Sequence, residues 1–282
     1  MWVNFHMHSQ YCDGKGTLPE YVAAAKEQGM PAVGFSSHAP VPFDCVWCMK
    51  AGRLEDYLKE VELLQRSTTE IELYKGLEID FIPDIISPGD FAPRLDYTIG
   101  SVHFVDAFAD GRPWEIDGLH TLFLEGLDKI FQGDIRAVIK RYYALTRQMV
   151  QTSVPDVIGH LDKIKIQNID NKFYLESDAW YVDEIDRTLD AIAESSAIVE
   201  VNTRGLYQKK STTPYPSPWI LERLHAKRIP ITLSSDAHHP SDITNQFNDT
   251  ARLLLDIGFK HLSVLLKGKW QPVSFHPHGI NA

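Results

Sequence analysis

Apolar and polar positions along the chain form two alternating textures. Compact apolar runs occupy residues 2–7, 32–36, 72–78, 97–101, 157–160, 198–202 and 231–234, with a weaker one at 261–264. Short, dense runs of this kind are expected of strands covered on both faces. Between them lie amphipathic stretches at 19–28, 54–67, 135–151, 182–195, 218–226 and 244–257, which read as helices. Local punctuation agrees: Thr17 precedes Pro19 and Glu20 at one helix start, Gly29 closes that helix, and Ser217-Pro218 opens another.

Strand-then-helix repetition predicts an α/β fold with a parallel sheet and right-handed crossovers. Seven or eight such units in 282 residues favour a closed or nearly closed (β/α) barrel over an open doubly wound sheet. Segments 80–94, 106–118 and 168–178 follow strands and read as loops above the barrel, on the side where barrel enzymes keep their chemistry. Neither linker, low-complexity tract nor internal repeat interrupts residues 1–282, so one domain is expected.

Composition narrows the function classes. Hydrophobic residues make up 44% and charged residues 23%, as in soluble globular proteins. No apolar run approaches the ~20 residues of a membrane span, which speaks against a membrane partner. The start, MWVNFHMHSQ, lacks the regions of a signal peptide, and a cytoplasmic location is expected. A formal charge of -10 provides no basic stripe for nucleic acid, yet it leaves room for a small phosphorylated substrate if metal ions make one cavity positive. G-x-G-x-x-G after the first strand and G-x-x-x-x-G-K are both missing, which removes the main support for nucleotide folds. The 3 cysteines, Cys12, Cys45 and Cys48, predict no disulfide framework in a reducing compartment; Cys45 and Cys48 read as loop residues near a cavity mouth.

Chemistry enters at the strand ends. His6 and His8, two apart on a strand, share one face. Later strands end in Ser36-Ser37-His38, Glu78-Ile79-Asp80, Ser101-Val102-His103, Gly159-His160 and Asp236-Ala237-His238, and Asp13 follows the first strand closely. Histidines scattered through core and surface would not keep step with strand ends in this way. Six histidines plus Asp13, Glu78 and Asp236 exceed what one ion needs, and nine ligands with one bridging carboxylate divide among three ions. Mixed imidazole and carboxylate ligation suits Zn, Fe or Mn rather than Mg or Ca.

In this order the motifs H-x-H…D, H, G-x-E, G-S-V-H, G-H and S-D-A-H resemble the polymerase and histidinol phosphatase (PHP) superfamily across nearly the whole chain. The strings HMHSQYCDG, SSHAPVPF, GLEIDFIP, GSVHFV, GHLDK and EVNTRGLY resemble its monofunctional L-histidinol-phosphate phosphatase branch. The resemblance implies a distorted (β/α)7, TIM-like barrel with three divalent ions at the C-terminal strand ends. It implies His6, His8, Glu78 and Asp236 on the first ion, Glu78 bridging to a second held with His103 and His160, and Asp13, His38 and His238 on the third. Ser37 departs from the Asp common there, which bears on the tuning of His38 rather than on ligand count.

The implied reaction is hydrolysis of L-histidinol phosphate in histidine biosynthesis, by a hydroxide bridging two ions. Arg204 is the first candidate for gripping phosphate, with Lys163 and Lys165 behind it. Asp80 and Asp106 are candidates for a substrate cation, and Asp236 or His239 for protonating the leaving alkoxide. His276-Pro277-His278 repeats the H-x-H spacing in what reads as a strandless tail, so it is set aside. A PHP phosphodiesterase or exonuclease, another phosphomonoesterase, a polymerase accessory module and a structural zinc protein are the competing classes. The residues do not indicate an oligomeric state.

Overall fold

The computed structural model describes residues 1–281. Its strands are β1 (Ala32–Phe35), β2 (Glu72–Asp80), β3 (Tyr97–Ser101), β4 (Phe104–Ala107), β5 (Pro113–Glu115), β6 (Val157–Ile158), β7 (Ile198–Asn202), β8 (Ile231–Ser234), β9 (His261–Leu266), β10 (Lys269–His276) and β11 (Gly279–Ile280). Six of them form one parallel sheet in the order β1-β2-β3-β6-β7-β8.

Residues 2–7 make no regular ladder, contrary to the strand expected there. Two of their N–H groups go to side chains instead: His6 N–H donates to Asn4 Oδ1 (3.0 Å) and Met7 N–H to Ser36 Oγ (3.0 Å). The segment still bridges both edges of the sheet. Asn4 pairs with Val33 beside β1, and Met7 pairs with Ala237 just past β8. Gly34 N–H donates to Asn4 O at 2.9 Å on one side, and His8 N–H to Ala237 O at 2.8 Å on the other. The extended segment thus takes a seventh place and closes a distorted barrel. Tyr97 holds it there: its hydroxyl donates to Phe5 O at 2.6 Å. Its ring fills the space a Cβ would need at Gly34 and Gly76, so neither position tolerates a side chain without displacing this anchor.

The helices are α1 (Leu18–Glu27), α2 (Leu54–Ser67), α3 (His120–Lys129), α4 (Ile135–Thr152), α5 (Ala179–Ala193), the single turn α6 (Arg204–Tyr207), α7 (Pro218–Ala226) and α8 (Phe247–Ile257). Thr17 and Glu20 form a capping box on α1, a contribution of about 1 kcal/mol. Beyond the predicted helices, α3 buries only Phe123, Gly126 and Leu127, too few to show a clear period. Segment 106–118 is mostly the hairpin β4–β5 rather than a plain loop.

The C-terminal stretch also differs from expectation: β9, β10 and β11 form a separate antiparallel sheet, and His276-Pro277-His278 sits at its β10–β11 turn. The polar composition of β10 hides its alternation. The 45–48 turn corrects the cysteine reading, because it brings two side chains 5.4 Å apart at Cα into a Cys45–Cys48 disulfide. Among the described residues, no helix is long and apolar enough to cross a membrane.

Candidate metal centre

Glu78, near the end of β2, is buried at the middle of the barrel mouth. Its Oε2 lies 3.1 Å from His6 Nε2, 3.3 Å from His8 Nε2 and 3.1 Å from His38 Nδ1. Its Oε1 lies 2.9 Å from His160 Nε2 and 3.6 Å from His103 Nε2, and accepts from Ser101 Oγ at 2.7 Å. Asp236 Oδ1 is 3.1 Å from His8 Nε2 and 3.7 Å from His6 Nε2. Asp13 Oδ2 is 3.0 Å from His238 Nε2, and its Oδ1 is 3.8 Å from His8 Nδ1.

Three sets of ligand atoms lie within 4.8 Å of one another: His8, Asp13, His38 and His238; His6, His8 and Asp236; and His38, Glu78 and His103. His8 and His38 each belong to two sets, so the groups form one continuous cage.

The chain achieves this by aiming alternate residues inward. Asp236 adopts φ +52, a left-handed conformation that ordinary side chains avoid and that recurs at functional sites. Asn202 Nδ2 donates to its Oδ2 (3.3 Å), and Arg204 Nη1 to its carbonyl (2.8 Å).

Inside the cage, the buried atoms His8 Nε2, His38 Nδ1, Asp13 Oδ1 and Asp236 Oδ1 have no hydrogen-bond partner. Each such group costs about 1–3 kcal/mol. Lone pairs of imidazole and carboxylate converging like this fit divalent cations of the zinc, iron or manganese type.

The electrostatics point the same way. Burial disfavours ionised Glu78 and Asp236, but His6 and the other cations around them outweigh it and hold both carboxyls well below the usual range. Burial, with His238 adding to it, pushes His8 down to about 4, and burial holds His38 well below its ordinary value. His8 and His38 are therefore neutral beside ionised carboxylates, the states in which both bind metal. Burial works against protonated His6 and His103, but Glu200 and Glu78 raise His6 well above its ordinary value and Asp80 brings His103 up to about 9. Those two rings release a proton when an ion binds.

The cage forms the floor of a cavity of about 190 Å³. Arg204, Lys163, Lys210, Trp47, Glu115 and Asp117 also line it. Arg204 also lies against His238 Nδ1. Lys163 Nζ is 3.2 Å from Asp117 and 3.9 Å from Asp236. Despite burial, Asp117 leads the carboxylates that hold its ammonium above its usual value.

Other sequence candidates lie elsewhere. Lys165 is turned away from the cage and binds Asp162 (2.9 Å), Pro214 O (2.7 Å) and Ser217 Oγ (2.7 Å). His239 is exposed and its Nδ1 accepts from Ser241 N–H. The extended backbone at His239 sends neighbouring side chains opposite ways, so His238 faces the cavity and His239 faces solvent. Asp106 is exposed on β4, away from the cavity. Asp80 is buried and bonded to His103 rather than open to a substrate cation. Ser37 contacts Ser9 Oγ at 2.9 Å, tying strand ends together.

Trp47, Glu115 and Asp117 were missed because no periodic signal marks loop and hairpin residues. Glu200 was missed too, although it sits two residues before Asn202 on the inward face of β7.

The PHP domain family matches residues 4–204. A Deinococcus radiodurans protein named "Probable histidinol-phosphatase" is 30% identical over 264 residues, which cover 90% of this chain and 92% of that one. The Bacillus subtilis histidinol-phosphatase is 26% identical over 257 residues, 84% of this chain and 94% of that one. Among solved structures, the histidinol phosphate phosphatase of Lactococcus lactis, complexed with zinc, L-histidinol and phosphate, shares the fold. Its TM-score is 0.67 at 20% identity, covering 100% of this chain and 99% of that one. Barrel closure, the convergent cage and these alignments agree: the chain belongs to the PHP domain family, with histidinol-phosphatases among its relatives.

Proposed function

We propose that this chain is a histidinol-phosphatase, a metal-dependent phosphomonoesterase that converts L-histidinol phosphate to L-histidinol and phosphate. One observation carries the reading: a histidine and carboxylate cage and two half-buried cations, Arg204 and Lys163, face the same small cavity. The names of the relatives supply the substrate.

In this reading His6, His8, Glu78 and Asp236 would hold a first ion, Glu78, His103 and His160 a second, and Asp13, His38 and His238 a third. When bound, divalent ions lower the pKa of water and offset the charge on a phosphoryl group.

The chain's own residues do the rest. Arg204 grips two phosphate oxygens through its planar guanidinium, and Lys163 adds a point charge whose position Asp117 fixes. Asp236 starts ionised, as a base must, takes the proton released by the attacking water on Oδ2, and passes it to the leaving oxygen. A cavity of about 190 Å³ suits a small monoester better than a polynucleotide. In this reading residues 1–282 form one domain, which the large hydrophobic cluster joining Trp2 to Ile280 supports, and act in the cytoplasm.

The test is phosphate release by metal-loaded protein from L-histidinol phosphate, other phosphomonoesters and a nuclease substrate. The highest kcat/KM is expected on L-histidinol phosphate. Equal values on all monoesters would remove the assignment, and activity on diesters alone would move the chain to an exonuclease role.

A further inference from the structure

Two buried carboxylates beside the cage have no part in the chemistry above. Glu200 Oε1 lies 2.5 Å from His6 Nδ1, while its Oε2 accepts from His160 N–H (2.7 Å) and Asn202 Nδ2 (3.1 Å). Asp80 Oδ1 lies 3.0 Å from His103 Nδ1 and also accepts from His103 N–H at 3.0 Å. Each carboxylate therefore holds one histidine by its ring, and a backbone N–H of the same or a neighbouring histidine. In both cases Nδ1 is taken, which leaves Nε2 to face Glu78 from opposite carboxylate oxygens.

Neither Glu200 nor Asp80 pairs with Lys or Arg among the described residues. A buried carboxylate without such a partner is costly, and a packing role would be served more cheaply by an amide. A carboxylate that accepts from a histidine already holding a metal is instead a recurrent way to fix tautomer and ring direction.

We propose that Glu200 and Asp80 are positioning residues of the metal centre. Glu200 ties His6 of the first ion to His160 of the second, and Asp80 sets His103 on the second. The proposal rests on the metal centre of the preceding section but not on its substrate.

Its test uses the full chain stripped of metal and titrated with Zn²⁺ or Mn²⁺ against a competing chelator, for wild type, Glu200→Gln and Asp80→Asn. Weakening of about 10–100-fold in the affinity of at least one ion is expected in each variant, in protein that still melts cooperatively without metal. Wild-type affinities in folded variants would overturn the proposal, as would a lowered melting temperature with unchanged affinity.

Nitrogen NMR of zinc-loaded wild type provides a check that needs no variant to fold. His6 and His103 should be protonated at Nδ1 and metallated at Nε2, and metal on either Nδ1 would contradict the assignment. Neither readout involves phosphate release, so failure here and failure of the phosphatase reading are distinguishable.

Discussion

Two histidine pairs in this chain share the spacing His-x-His and little else. His6 and His8 are fully buried, 5.1 Å apart between ring centroids, and lie within 4 Å of Glu78 and Asp236. His276 and His278 are exposed at the β10–β11 turn, 6.3 Å apart, and neither has an acidic partner among the described residues. Spacing sets which face two side chains share, but it does not supply the carboxylates or exclude water. The cage combines the spacing, the carboxylates and the burial.

The largest expected effect breaks the buried pair's partner. Glu78→Gln keeps the shape but removes the charge that faces His6, His8, His38, His103 and His160. Loss of a preorganised charge of this kind costs about 10²–10³-fold or more in kcat. Fewer ions per chain should accompany it in metal analysis. Arg204→Met separates the cage from the phosphate clamp: kcat/KM should fall about 10²-fold with metal content intact, as expected for a lost charge-assisted contact.

A pH series sharpens the contrast between buried and exposed charge. Burial works against ionised Asp117, but Lys163 and neighbouring histidines outweigh it and bring its carboxyl down to about 2. A depressed carboxyl stabilises the fold above its unfolded pKa near 4, and that contribution disappears as pH falls through about 2. On the order of 2 kcal/mol is at stake. Melting temperatures measured from pH 5 to pH 2 should fall more steeply for wild type than for Asp117→Asn. The smallest effect belongs to the exposed pair: replacing His276 and His278 together by Ala should leave metal content and kcat/KM unchanged, and stability within about 0.5 kcal/mol.

Much of this site was legible because ligand residues recur at strand ends, and a strand's period of two is easily read. Glu78 and His103, singled out that way, lie together in the cage, while the strands 97–101, 198–202 and 231–234 agree with β3, β7 and β8. What stayed hidden follows from partners that spacing cannot reveal. Asp80 is an acid at the end of β2, and only the position of His103 distinguishes a positioning role from a substrate contact. Lys163 and Lys165 are two apart on one short helical turn, so one faces the cavity and the other anchors Ser217. The 2–7 segment reads as a strand, yet side chains of Asn4 and Ser36 take the N–H groups its ladder would use. The disulfide between Cys45 and Cys48 depends on a local turn that composition does not encode.

The most direct measurement is an anomalous-scattering map from crystals of protein loaded with zinc or manganese. Three peaks within the cage, two of them touching Glu78, and none beside His276 or His278, are the expected result. A single peak in the cage, or none there while metal sits on the exposed pair, would contradict the multinuclear site on which the phosphatase reading depends.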